Sequence, residues 1–321
     1  MKPTTWLHAI AAVAVAVFIM AAGGSAAAQT PAQWRQLKGD VTMYLANDMG
    51  RNGYYEQKPI AALMGRMGET LKPKCVIAAG DVHHFYGVQS VDDPLWMTNY
   101  ELIYSHPELM IPWYPVLGNH EYRGNTQAVL DYASVSRRWM MPARYYTKVI
   151  ESKGTSVQLV FIDTTPLIDR YRQNPGTYHD AGQQDIDAQL QWLDKTLAEA
   201  RAQWVVVVGH HPMYAETGKD TVEQHDMRRR VLPLFKKHRN VAMYVSGHIH
   251  SFQHMRAPGD DTDYIVNSAG ALAREAKPIE GTVFCSGKEG FSVISADKKQ
   301  LCLYMIDKDG NVLHTVRKTA R

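Results

Sequence analysis

The chain has 321 residues, of which 45% are hydrophobic and 21% charged, with a formal net charge of +3. That composition belongs to a folded globular chain and excludes a disordered one. The near-neutral balance argues against the broad basic footprint of a nucleic-acid or membrane-surface protein, and the length suits one or two domains.

The N-terminal stretch "MKPTTWLHAIAAVAVAVFIMAAGGSAAAQT" has a lone Lys2, an apolar run from Ala9 to Ala22 and three alanines before Gln29. This is the three-part layout of a secretory signal peptide. The run falls short of the roughly 20 residues that a membrane span needs. Residues 1–28 are therefore expected to be removed, placing a mature chain in the periplasm or outside the cell with no membrane span. Residues 29–321 are expected to form a single domain, with 281–321 as a hairpin extension.

Short, β-branched apolar runs then recur along the chain and predict buried strands: Val41–Ala46, Cys75–Ala79, Trp113–Leu117, Val157–Ile162, Trp204–Val208, Val241–Val245 and Tyr264–Val266. Between them, Ile60, Leu63, Met64, Met67 and Leu71 share one helical face, as do Ile186, Leu190, Leu193 and Leu197. Alternating strands and helices predict an α/β fold. The basic clusters Arg228–Arg230 and Lys236–Arg239 read as a solvated helical face, with steering of an anionic substrate as the alternative. The tail from Gly290 alternates apolar and polar residues around "DKK" and "DKDGN", which predicts two consecutive antiparallel hairpins. Of the three cysteines, Cys75 reads as a small core residue. Cys285 and Cys302 flank a predicted hairpin, and a disulfide between them is left open.

The chemistry sits just past the strand ends. After "VTMYLA" comes "NDMG" with Asp48, after "CVIAA" comes "GDVHH" with Asp81 and His84, and after "WYPVL" comes "GNHE" with Asn119 and His120. After "WVVVV" comes "GHHP" with His210, and after "VAMYV" comes "SGHIH" with His248 and His250. In open α/β sheets, sites form beyond the carboxyl ends of the strands, and a glycine there lets the backbone turn and approach closely. The donors are carboxylate, amide and imidazole with no thiolate, a set suited to zinc, manganese, iron or cobalt. They are too many for one ion. A carboxylate can bridge two, and paired metals are a common solution for phosphate ester hydrolysis.

This order of motifs resembles the calcineurin-like metallophosphoesterase superfamily. More narrowly, the chain is similar to the small purple, or tartrate-resistant, acid phosphatases, through "GVQ" (Gly87–Gln89), "IPWYPVLGNHEYRGN", "SVSRRWMMPARYY" and "QLQWL". The resemblance implies a β-sandwich of two mixed sheets flanked by helices. It also implies two metal ions (Fe, Zn or Mn) bridged by Asp81. The first ion would add Asp48, His250 and the residue three after the bridging aspartate; the second would add Asn119, His210 and His248. A hydroxide activated by the metals would attack phosphorus, with His120 as general acid.

Two departures stand out. The purple enzymes carry a tyrosine three residues after the bridging aspartate, and its phenolate on ferric iron gives the colour; here that residue is His84. His84 is expected to replace it as a ligand, which favours divalent metals and a site that is not purple. The neighbouring His83 is expected to point away or to line the pocket mouth. The family often has another histidine beyond "GHHP"; this chain has none there, although His211, Glu216 or Lys219 could lie nearby. The loop Ile168–Asp180 reads as an ordinary surface loop, with contact from Arg170, Tyr171 or Arg172 to substrate as the alternative. The expected function is hydrolysis of a small phosphomonoester, with a phosphodiesterase or nucleotide hydrolase as the alternative and a non-catalytic binding module that retains the fold as a third reading. No nucleic-acid partner is expected, and the oligomeric state is open.

Overall fold

The computed structural model describes residues 31–218 and 220–320; the expected signal peptide and Lys219 lie outside them. Thirteen strands build two mixed sheets. The first has six strands in the order β13-β12-β11-β1-β2-β3, and the second has seven in the order β10-β8-β9-β7-β6-β5-β4.

The strands that carry the motifs are β1 (Val41–Ala46), β2 (Val76–Ala78), β3 (Trp113–Pro115), β6 (Trp204–Val208) and β7 (Val241–Ser246). Nearly every residue in them is buried, as continuous apolar runs in covered sheets should be. β1, β2 and β3 run parallel in one sheet. In the other, β5 (Thr155–Phe161), β6, β7 and β9 (Asp263–Val266) also run parallel. Parallel pairing gathers the carboxyl ends of each set on one side, and this brings sequence-distant loops together.

The two sheets are joined just below those ends. Asn267, the residue after β9, donates through Nδ2 to Asn47 Oδ1 (2.6 Å) and accepts at Oδ1 from Ser292 (2.6 Å). The Tyr146 hydroxyl donates to the Pro115 carbonyl (2.7 Å), and its ring stacks on Phe161. The Gly270 amide donates to the Asn47 carbonyl (2.9 Å).

The predicted helices fall at Gln57–Leu71, with Ile60, Leu63, Met64, Met67 and Leu71 buried, and at Ile186–Glu199, with Leu193 and Leu197 buried. The C-terminal hairpins β11 (Gly290–Ala296), β12 (Gln300–Asp307) and β13 (Val312–Thr319) extend the first sheet, because β11 pairs antiparallel along β1 from Val41 to Leu45. Three strands escaped the sequence reading. Two lie at the edges of the second sheet: β4 (Tyr146–Ser152), with only Tyr146 and Ile150 buried, and β10 (Thr282–Ser286). The third, β8 (Phe252–Met255), is fully buried but polar. Its Gln253 bonds the Glu216 backbone and its His254 bonds Asp263, so the polar groups are satisfied locally.

The fold bears on two sequence readings. Cys285 lies on β10 in the second sheet and Cys302 on β12 in the first, so no hairpin joins them, and all three cysteines are free. Of the two basic clusters, Lys236–Arg239 is largely exposed, as the reading of a solvated face has it, while Arg228–Arg230 is half-buried apart from the exposed Arg229 and is paired with its surroundings. Arg228 donates to the Met213 carbonyl (2.6 Å), Arg229 to Asp169 (2.8 Å) and Asp226 (2.9 Å), and Arg230 to the Leu167 carbonyl (2.6 Å). The three guanidinium groups tie the helix Val222–Arg230 to its surroundings.

Candidate metal centre

Four of the expected ligands hold backbone conformations that non-glycine residues rarely adopt: Asp48 (φ 51°), Asp81 (φ 52°), His248 (φ 71°) and His250 (φ 63°). Such strain persists only where the surroundings over-determine it, and it concentrates at functional sites. The preceding glycines serve two different needs. Gly80 has φ 88°, and a Cβ there would sit 2.5 Å from His210 Nδ1. At Gly118 the φ is ordinary, and the need is space: a Cβ would collide with the Asp81 carboxylate.

The side chains converge. Oxygen or nitrogen atoms of Asp48, His84 and His250 lie within 4.8 Å of one another, and so do those of Asp48, Asp81 and His210. His250 Nε2 is 3.1 Å from Asp48 Oδ1, His210 Nε2 is 3.1 Å from Asp81 Oδ2, and His84 Nε2 is 3.6 Å from Asp81 Oδ2. His84 therefore faces the same point as Asp48 and His250, while Asp81 stands between that group and His210.

The imidazoles are oriented from behind. His210 Nδ1 donates to the Ala79 carbonyl and His250 Nδ1 to the Leu272 carbonyl (both 2.8 Å), which leaves each Nε2 as the inward acceptor atom. His248 is held the other way round, with Nε2 2.8 Å from Glu223 Oε2. His120 lies at the wall, its Nδ1 2.8 Å from the Phe85 carbonyl and its Nε2 3.8 Å from Asp81 Oδ2.

The donor atoms fit a pair of cations. Asp48 Oδ1, Asn119 Oδ1 and both ring nitrogens of His84 are buried without a hydrogen-bond partner among the described residues. Buried polar groups are ordinarily paired; Asp48 Oδ1 and the acceptor nitrogen of a neutral His84 ring leave lone pairs close to one another and to His250, which a cation would satisfy. Electrostatics agree. Burial pushes the carboxyls of Asp48 and Asp81 up, yet the surrounding imidazoles outweigh it and hold both below the ordinary range. Burial pulls His210 down, and Asp81 more than reverses this.

A carboxylate outside the expected set braces the loops. Glu121 accepts from the backbone N–H groups of Gly118 (2.7 Å), Asp81 (2.9 Å) and His83 (3.0 Å), so the loops after β2 and β3 share one anchor. His83 turns away from the centre into the core, edge-on to Trp96 at 4.4 Å. His211 lies near His210 and His248, but its Nδ1 meets Thr164 (2.8 Å) and its Nε2 meets Tyr171 (3.2 Å), so both nitrogens are taken. Glu216 accepts instead from the Lys277 amide.

Beside the cluster lies a polar pocket of about 340 Å³ that also exposes Arg123, Arg170, Asn174 and Arg274. The Ile168–Asp180 loop is thus part of the site wall through Arg170 and Tyr171, not an ordinary surface loop. Arg172 turns away to the carbonyls of Ala181 and Gln184. Glu223 was invisible in the sequence. It sits in "VEQHDMRRR", a helix with almost no apolar stripe, and the only signal was that so polar a helix must bury polar groups for some reason.

Residues 42–252 match the family model described as Calcineurin-like phosphoesterase. Purple acid phosphatase 3 of Arabidopsis thaliana is 31% identical over 88% of this chain and 78% of its own length. Tartrate-resistant acid phosphatase type 5 of Homo sapiens is 28% identical over 80% of this chain and 83% of its own length. Among solved structures, "GAP50 the anchor in the inner membrane complex of Plasmodium" superposes with a TM-score of 0.76 at 20% identity, over 88% of this chain and 89% of that one. That likeness shows the fold alone.

Proposed function

Because the chain belongs to the calcineurin-like phosphoesterase family and is a metal-dependent phosphoric ester hydrolase, we propose that it cleaves small phosphomonoesters in the periplasm or outside the cell. The observation that carries this reading is the clustering of Asp48, Asp81, His84, His210, His248 and His250 in overlapping groups, with several donor atoms buried and unpaired, beside a pocket that Asp81, Asn119, His248 and His250 line. The secreted location rests on the leader pattern of Met1–Thr30. Among the described residues no helix is long and apolar enough to cross a membrane.

In this reading Asp48, Asp81, His84, Asn119, His210, His248 and His250 would be the residues that hold a pair of cations, with Asp81 placed to serve both. When bound, such a pair supplies Lewis acidity and lowers the pKa of water toward neutrality. The protein's own part is geometric. Carbonyl contacts fix the His210 and His250 rings, Glu223 fixes His248, and Glu121 fixes the backbone of the Asp81 and Asn119 loops. Arg123 and Arg274 bring guanidinium groups to the pocket wall, which suit a doubly charged phosphate ester, while Arg170 there is paired with Asp220 and Glu223. As the P–O bond breaks, the departing alkoxide needs a proton. His120, its Nδ1–H fixed on the Phe85 carbonyl, delivers one from Nε2.

Comparing p-nitrophenyl phosphate with its bis ester tests the substrate class. The monoester is expected to be the better substrate by kcat/KM; a preference for the diester would replace this reading with a phosphodiesterase. A chain inert toward both when metal-loaded would be a binding module.

A further inference from the structure

Among the described residues, four aromatic side chains are exposed by more than half: Tyr54 (72%), Tyr55 (62%), Phe85 (57%) and Tyr86 (74%). All four lie on the two loops after β1 and β2, the loops that carry Asp48, Asp81 and His84. Large exposed apolar groups gathered in one place mark a binding surface more often than chance.

Three of them line a groove. Tyr54, Tyr55 and Phe85 enclose about 410 Å³ together with Arg51 and His84, a size that suits a small organic group. Its walls are firmly built. The Asn52 amide donates to Asn99 Oδ1 (2.7 Å), and the Gly53 and Arg51 amides share Gln57 Oε1 (2.7 and 3.2 Å). Tyr55 is held at φ 54°, a conformation unusual for so bulky a residue. The Arg51 guanidinium is buried and sits 4.8 Å from the Phe85 ring, with its Nε unpaired, so it braces one face of that ring while the rest stays open.

The groove also begins in the right place. The rings of His84 and His120 are 4.2 Å apart, and Phe85 is 5.9 Å from each. A leaving oxygen protonated by His120 is therefore adjacent to Phe85. The other pocket, which His120 also lines, carries Arg123, Arg170, Asn174 and Arg274 alongside Tyr171 and Tyr178, a mostly polar lining that suits an anion.

We propose that this groove is a leaving-group subsite for a planar aromatic ring, so that the preferred monoesters carry an aryl or nucleobase group on the alcohol half. The inference rests on the phosphomonoesterase reading. Adenosine 5′-phosphate and ribose 5-phosphate test it, since both release a primary alcohol of the same sugar and differ in the base alone. kcat/KM is expected to favour the nucleotide by about ten-fold or more, as stacking on aromatic side chains provides. The double variant Tyr54→Ser/Tyr55→Ser, and separately Phe85→Leu, are expected to bring that ratio down toward one. A ratio near one in the unaltered enzyme, or a ratio that survives in both variants, overturns the subsite. Calorimetric titration with adenosine, which has no phosphate, reads the groove without catalysis: binding to the unaltered protein and its loss in the variants supports the subsite, and absence of binding overturns it. Failure to hydrolyse either monoester would sink the phosphomonoesterase reading and leave the adenosine titration to decide the groove.

Discussion

Glu223 Oε2 lies 2.8 Å from Nε2 of His248, while its other oxygen accepts from Tyr171 (2.7 Å) and Arg170 (3.2 Å). A carboxylate behind a ligating imidazole fixes the ring and raises its basicity. Glu223→Ala is expected to weaken metal binding about 10- to 100-fold, measured by competition with a chromophoric chelator. Unchanged affinity would mean that His248 needs no brace.

His84 stands where the purple enzymes carry tyrosine, and its Nε2 faces Asp81 at 3.6 Å. The unaltered protein supplied with ferric iron is expected to show no strong visible charge-transfer band, and His84→Tyr is expected to create one. A strong band in the unaltered protein would mean that a phenolate reaches the iron from elsewhere. His84→Ala is expected to lose about half of the bound metal in elemental analysis.

His120 is proposed to protonate the leaving group, so its value depends on how poor that group is. His120→Ala is expected to slow alkyl phosphates by about 100-fold or more and p-nitrophenyl phosphate much less. Equal losses on both would remove the acid role.

Acid stability should depend on a cluster away from the centre. Burial pushes the Asp263 carboxyl up, but hydrogen bonds from His254, Arg256 and Lys318 outweigh it and bring the pKa down from 3.8 to about 2. A depressed carboxyl stabilises the fold fully above its unfolded pKa, and that contribution is lost as pH falls through the folded one. Denaturant titrations should therefore show Asp263→Asn less stable by roughly 1–3 kcal/mol near neutral pH, with the gap closing between about pH 4 and pH 2. A gap independent of pH would contradict this.

Much of this was legible because the signals were dense. β1, β6 and β7 are apolar runs interrupted at a polar strand end, so both the strands and the residues after them could be read directly from Val41–Asp48, Trp204–His210 and Val241–His250. What escaped was carried by polar groups in unpatterned segments. Glu121 was visible in "GNHE", but nothing in the sequence says that it accepts three backbone N–H groups. Glu223 comes from a polar helix, where burial is decided by tertiary contacts and no period announces it; Arg170, raised from the sequence only as an alternative contact to substrate, meets it there. For the adjacent His83 and His84 the resemblance marked His84 as the one facing the centre, and the fold adds that His83 enters the core against Trp96.

The most direct test of the dinuclear account is elemental analysis of the purified mature protein, with p-nitrophenyl phosphate turnover followed through chelation and metal restoration. About two equivalents of transition metal per chain are expected, with activity falling and returning in step with them. Full turnover by metal-free protein, or no more than about one equivalent at full activity, would contradict a pair of cations sharing Asp81.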